Sequence, residues 1–286
     1  MNGENMRYEG NKMKKTIFFL STLILIAANF LAFSQFTSEE IAQRERIEGI
    51  LKSGDITKAQ EIGEGVTKPW RLYLKGDDEE ISGCWKNPEG VQKGYLEGWQ
   101  FEIAAYQMDK LLGLDMIPPT VERGFEGKKG SLQFWITSEF SLLDVMEQGI
   151  PLPNKMPEAE VFNRGKYLTR AFDSLIANDD RTQQNIRYTK DWRTILIDHS
   201  RAFRSSKKYC KRLLYGQNGM KEKQLFRQLP RSFVERVRAL NFENIKNAVG
   251  PYLKEEEINA VLARKKLLLE EIEEMIKANG EKNVLY

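Results

Sequence analysis

At 286 residues, with 41% hydrophobic and 30% charged residues, the chain can bury a sizeable core as one large domain or as two lobes. Its formal net charge is +3, and the first 34 residues hold four basic and two acidic side chains, so the remainder is nearly neutral and its charge does not argue for nucleic acid as a partner. Cys84 and Cys210 are too few and too far apart for a metal knuckle, and the single histidine, His199, excludes a His-based metal site and most Ser-His triads.

In chain order, Lys14-Lys15 precede an apolar run from Thr16 to Phe33 that ends in Ser34-Gln35. A positive start, an apolar centre and a small-residue exit read as a signal peptide over 1–34, with an exported domain behind it. The alternative is an uncleaved anchor, and membrane contact is expected only in that case. Thr37-Ser38-Glu39-Glu40 is a capping box that predicts a helix to about Lys52, a helical leader over 35–58. Gly63-Glu64-Gly65-Val66-Thr67 follows, and then two strands, Trp70–Leu74 and one ending at Lys86. Gly63, Gly65 and Thr67 are candidates to cover nucleotide phosphates with backbone N–H groups, against the plainer reading of a turn. Apolar residues at helical spacing predict a helix from Trp99 to Leu114, with Glu102 on its first turn beside the apolar stripe. Gly130–Ile136 reads as a buried strand and 137–139 as a hinge, which closes an N-terminal lobe of 59–147. The proline-bearing stretch from Gln148 to Pro157 separates it from a mainly helical lobe of 148–286. Its first helix, Glu158–Ala177, has an expected buried face of Val161, Leu168, Phe172 and Leu175.

That helix delivers the stretch richest in chemistry, Asn178-Asp179-Asp180-Arg181-Thr182-Gln183-Gln184-Asn185, followed by Leu196-Ile197-Asp198-His199. A hairpin of Ile186–Tyr188 with Trp192–Ile197 would set Asn185 and Asp198 side by side. This is the order and spacing that phosphoryl transfer from ATP needs. Asp180 would accept the proton of the attacking hydroxyl, while Asn185 and Asp198 would hold Mg2+ or Mn2+. Turn chemistry alone would also explain Asp and Asn in loops, but it leaves three spacings to coincidence.

Asp180-Arg181 with Asn185, and then Ile197-Asp198, resembles the catalytic and metal-binding loops of atypical kinases: the phosphatidylinositol 3- and 4-kinases, the HipA-like kinases and the Golgi casein kinase family. The run from Glu102 to Pro119 is similar to the small lobe of bacterial relatives of the lipid kinases. Thr182 stands where lipid kinases carry histidine, and Asp198-His199-Ser200 replaces Asp-Phe-Gly. The resemblance implies an α+β, bilobal kinase-like fold, with Lys86 gripping ATP phosphates and held by Glu102.

From Arg201 to Arg227 the chain holds nine basic residues and one acidic one, Glu222. This segment would recruit an anionic acceptor, or else it is a solvated loop. The remaining helices, Pro230–Leu240, Phe242–Val249 and Glu255–Asn279, carry helix-period apolar residues; the glutamates at 255–257 and 270–274 read as exposed faces. The expected activity is transfer of a phosphoryl group to a hydroxyl of protein, lipid headgroup or small molecule. A nucleotide-binding pseudokinase and a nucleotidyl (AMP) transferase are the alternatives.

Overall fold

The structure, a computed structural model, describes residues 35–63, 68–77, 79–92, 94–221, 223 and 227–286. The expected signal segment, together with Gly65 and Thr67, lies outside the described residues. Thr37 caps the first helix: its hydroxyl accepts from Glu40 N at 3.2 Å, and its own N–H donates to the Glu40 carboxylate at 2.6 Å. The expected single helix is two, α1 (Ser38–Ala42) and α2 (Arg44–Ser53), joined at Gln43. The leader does not stay helical or separate to residue 58. Instead β1 (Asp55–Glu61) turns back to pair antiparallel with β2 (Trp70–Lys75). Every residue of β1 is exposed at the sheet edge, so no apolar alternation marked it in the sequence.

The main sheet is five-stranded, in the order β1-β2-β3-β7-β6, with β3 (Glu80–Lys86), β6 (Thr120–Phe125) and β7 (Lys128–Phe134). All its pairings are antiparallel. Alternate residues of β2, Leu72 and Leu74, point into a small core with Trp85, Val121 and Leu132, which Leu51 of α2 closes. Arg123 on β6 reaches the last carbonyls of α2, at Lys52 and Gly54, so sheet and leader form one body. A hairpin of β4 (Glu89–Gln92) and β5 (Tyr95–Gly98) then leads into α3 (Trp99–Leu112), which ends at Gly113 with φ +59°.

Helix α3 was expected inside the N-terminal lobe, but its apolar face is buried in the larger, C-terminal core. Phe101, Ala104, Ala105, Met108 and Leu112 pack there with Leu168, Phe172 and Leu175 of α5 (Glu158–Ile176). On α5 the expected Val161 is only half buried, and Phe162 is buried in its place. The helix lies so close to β10 (Thr194–Leu196) that a Cβ on Gly165 would sit 2.2 Å from Thr194 Oγ1. β8 (Phe140–Ser141), which leads into α4 (Leu142–Gln148) ahead of α5, and β10 flank β9 (Ile186–Tyr188) in a three-stranded sheet. Beyond a short α6 (Lys207–Lys211), helices α7 (Arg231–Ala239), α8 (Phe242–Val249), α9 (Glu255–Asn279) and α10 (Glu281–Val284) complete the chain. Glu257 is not an exposed face residue: it is buried, and its carboxylate accepts the Lys254 N–H at the start of α9. The architecture is therefore α+β, with a sheet-rich N-terminal part and a helical C-terminal part.

Candidate active site

The site is assembled from strand β3, helix α3 and the segment around the β9–β10 hairpin. Lys86 ends β3 with its amine 3.4 Å from Glu102 Oε1 on α3 and 3.2 Å from Asp198 Oδ1 just beyond β10. Burial disfavours a charged lysine, but Asp198 and Glu102 outweigh it and hold the amine protonated. Burial would likewise raise the Glu102 carboxyl, yet Lys86 and hydrogen bonding from His199 keep it well below the usual carboxylate range. Two carboxylates on one amine over-supply negative charge on the solvent side, where Asp198 is 36% exposed. Asp198 is thus the partner free to take another cation.

Asp198 also has φ +62°, a left-handed conformation that costs a non-glycine residue about 1–2 kcal/mol. Several bonds hold the strained turn. His199 N donates to Glu102 Oε2 at 2.8 Å, and Ile197 N donates to Asn185 O at 3.2 Å. Beneath it lies Arg181, whose side chain is 2% exposed. Its guanidinium makes a fork with Asp173, Nε to Oδ2 and Nη2 to Oδ1, each at 3.0 Å. Nη1 donates to the carbonyls of Ile197 at 2.7 Å and Asn185 at 3.2 Å. One buried arginine therefore ties together the backbone on which Asn185 and Asp198 sit.

His199 Nε2 lies 2.8 Å from Arg181 Nη2. Arginine can only donate, so Nε2 accepts and the ring proton sits on Nδ1, facing Glu102. At 3.7 Å that approach is an electrostatic contact rather than a hydrogen bond. Burial and the neighbouring Arg181 charge push the imidazole pKa down, so His199 is neutral at pH 7.

Asp180 occupies the expected position at the exit of α5, where Ala177 takes φ +50° and turns the chain. Its carboxylate is 39% exposed and 3.1 Å from Arg201 Nη1. Burial raises its pKa, Arg201 opposes the shift, and the charges of Asp198 and Asp179 reinforce it. Asn185 is buried in the one-turn 3-10 helix Gln183–Asn185, directly before β9.

The structure thus gathers Lys86, Glu102, Asp198, Asn185 and the Asp180 segment. Gly63 lies on an exposed loop between β1 and β2, in the turn of a hairpin rather than ahead of one, at the end of the sheet where β3 finishes with Lys86. Sequence reasoning missed Asp173, Arg181 and the structural use of His199. A signal for the first was present: Asp173 sits between Phe172 and Leu175 on a helix face otherwise given to the core.

The donors fit a hard cation. A carboxylate and an amide oxygen suit Mg2+ or Mn2+, which take one or two protein oxygens when phosphates supply the rest. Among the described residues no group of three or more His, Cys, Asp or Glu forms a metal cage. No family model and no curated protein matches the chain.

Proposed function

We propose that the protein is an ATP-dependent phosphotransferase with a bilobal, kinase-like architecture. One observation carries the reading: the Lys86 amine is shared by Glu102, which is buried, and by Asp198, which is partly exposed to solvent. A purely structural lysine needs one carboxylate. A second one, held in a strained conformation and open to solvent, suits a residue that must hold a metal while Lys86 meets phosphate oxygens. Asn185 and Asp198 are the residues that would hold magnesium, which neutralises charge on the transferring phosphoryl group when bound. Asp180 takes the proton of the attacking hydroxyl, and its raised pKa suits a base. Glu102 keeps Lys86 charged and aimed, and Arg181 fixes the loop positions of Asn185 and Asp198.

Binding without turnover is the second reading, favoured by the ion pair that Arg201 makes with Asp180. Mass spectrometry of the protein and its products after incubation with Mg-ATP separates the readings: a phosphate gain supports phosphotransfer, an AMP gain indicates nucleotidyl transfer, and ADP-free inertness indicates a binding module. We also propose export, on Lys14-Lys15 and the apolar run to Ser34. N-terminal sequencing of the mature protein should begin near Gln35 or Phe36; a full-length cytosolic product would refute it.

A further inference from the structure

A pocket of about 260 Å³ opens beside Asp180, between the β4–β5 hairpin and the segment that carries α6. Tyr95 and Tyr209 are among its lining residues, Leu214 and Met220 are its apolar ones, and Asp179, Asp180, Arg201, Lys208 and Lys221 supply its charges. Both carboxylates are already engaged. Asp179 is held by Arg204 at 3.4 Å and by the Tyr209 hydroxyl, and Asp180 is held by Arg201. Arg201 is itself anchored to the buried Glu97 at 2.6 Å and lies over the Tyr95 ring, 4.7 Å from its centre. That leaves Lys208 and Lys221, exposed and without an ion pair among the described residues: Lys208 lies over the Tyr209 ring, 5.3 Å from its centre, and Lys221 donates to the Asp179 carbonyl, its charge also reaching Asp180. A pocket whose carboxylates are paired and whose two amines face no carboxylate partner of their own attracts an anion.

We propose that this pocket is the acceptor subsite and that it takes a small hydroxyl compound carrying a phosphate group. The assignment rests on the phosphotransferase reading. The volume is below the usual range for drug-sized ligands, so it suits one polyol or sugar unit rather than a folded peptide segment. Lys208 and Lys221 pair with the phosphate as point charges, and the Tyr95 ring offers a flat wall to the carbon skeleton. The acceptor hydroxyl replaces Arg201 at Asp180. Its oxygen bonds to the γ-phosphorus of ATP as the bond from that phosphorus to the bridging oxygen breaks. The electron pair leaves on ADP, and the hydroxyl proton passes to Asp180.

The chemistry can come from a soluble compound or from a lipid headgroup. The test uses the full chain and a K208A/K221A variant, both changes being at exposed positions. The probes are glycerol 3-phosphate and inositol 1-phosphate in solution, and phosphatidylglycerol and phosphatidylinositol in phosphatidylcholine vesicles. Glycerol, inositol and an acidic serine peptide are the comparisons. Binding is read by chemical shifts or co-sedimentation, and transfer by label from ATP. The phosphate-bearing form from one source should bind at least about tenfold tighter than its neutral counterpart and accept label, and K208A/K221A should erase that preference. The variant should keep the Mg-ATP melting shift. The proposal is overturned by equal binding of neutral and phosphorylated forms, by a preference that survives K208A/K221A, or by label passing to the peptide instead. If glycerol 3-phosphate or inositol 1-phosphate binds through these lysines while Mg-ATP causes no melting shift, the anion pocket stands and the phosphotransferase reading falls.

Discussion

Replacing each aspartate of the site in turn separates the role of base from the role of metal ligand. Asp180 is needed only when a hydroxyl attacks, whereas Asp198 is needed for the nucleotide to be held at all. Without ligand, neither change should disturb the fold much. Both side chains are more than a third exposed, their ion pairs with Arg201 and Lys86 are partly screened, and each contributes less than about 1 kcal/mol. With Mg-ATP at a hundred times Kd, the parent gains about 2.7 kcal/mol. For a chain of this size that is a melting shift of roughly 5–10 °C. Asp180→Asn should keep that shift and abolish transfer. Asp198→Asn removes one charged ligand and leaves Lys86 to Glu102 alone, so a hundredfold loss of affinity is the expected scale. At the same nucleotide concentration the gain then falls to about 0.4 kcal/mol, a shift of roughly 1 °C. Lys86→Ala should fall between the two. Differential scanning fluorimetry with and without Mg-ATP reads all three. A full shift in Asp198→Asn would refute the metal-ligand assignment and remove the main support for phosphotransfer.

Asp109, fully buried on α3, should make stability depend on pH. Burial and the nearby Asp115 charge push its carboxyl up to about 8, against a weaker pull from the Met116 N–H and from Arg44. The folded chain therefore binds a proton that the unfolded chain releases near pH 4, so this contribution is fully present below about pH 4 and is lost as pH rises to about 8. Urea melts of Asp109→Asn should lack that downward slope between pH 5 and 8; the same slope in parent and variant would exclude Asp109 as its source. Arg181→Lys should cost about 3 kcal/mol in chemical denaturation, because one amine cannot replace the fork to Asp173 and the bonds to two carbonyls. It should also weaken Mg-ATP binding, and a variant as stable as the parent would show that the buried network does not support the loop.

The amino-acid sequence by itself determined the local elements and the candidate chemistry. Trp70–Lys75 and Glu80–Lys86 alternate as half-buried strands do, and Thr37-Ser38-Glu39-Glu40 caps its helix as written. The spacing of Asp180, Asn185 and Asp198 around a short hairpin was readable because a hairpin's register follows from a few consecutive residues. Two kinds of feature were not legible. Strand β1 is exposed along its whole length and buries no side chain, so its residues carry no apolar period. The core that α3 joins was also hidden, because an apolar helix face names no partner, and only packing decided that it lies in the larger one. The same limit hid the network under the site. Asp173, Arg181 and His199 are polar residues whose burial depends on one another, because Arg181 bonds both carboxylate oxygens of Asp173 and the Nε2 of His199. Those contacts exist only in three dimensions, and so does the placing of Arg201 on Asp180, with Lys208 and Lys221 lining the same pocket.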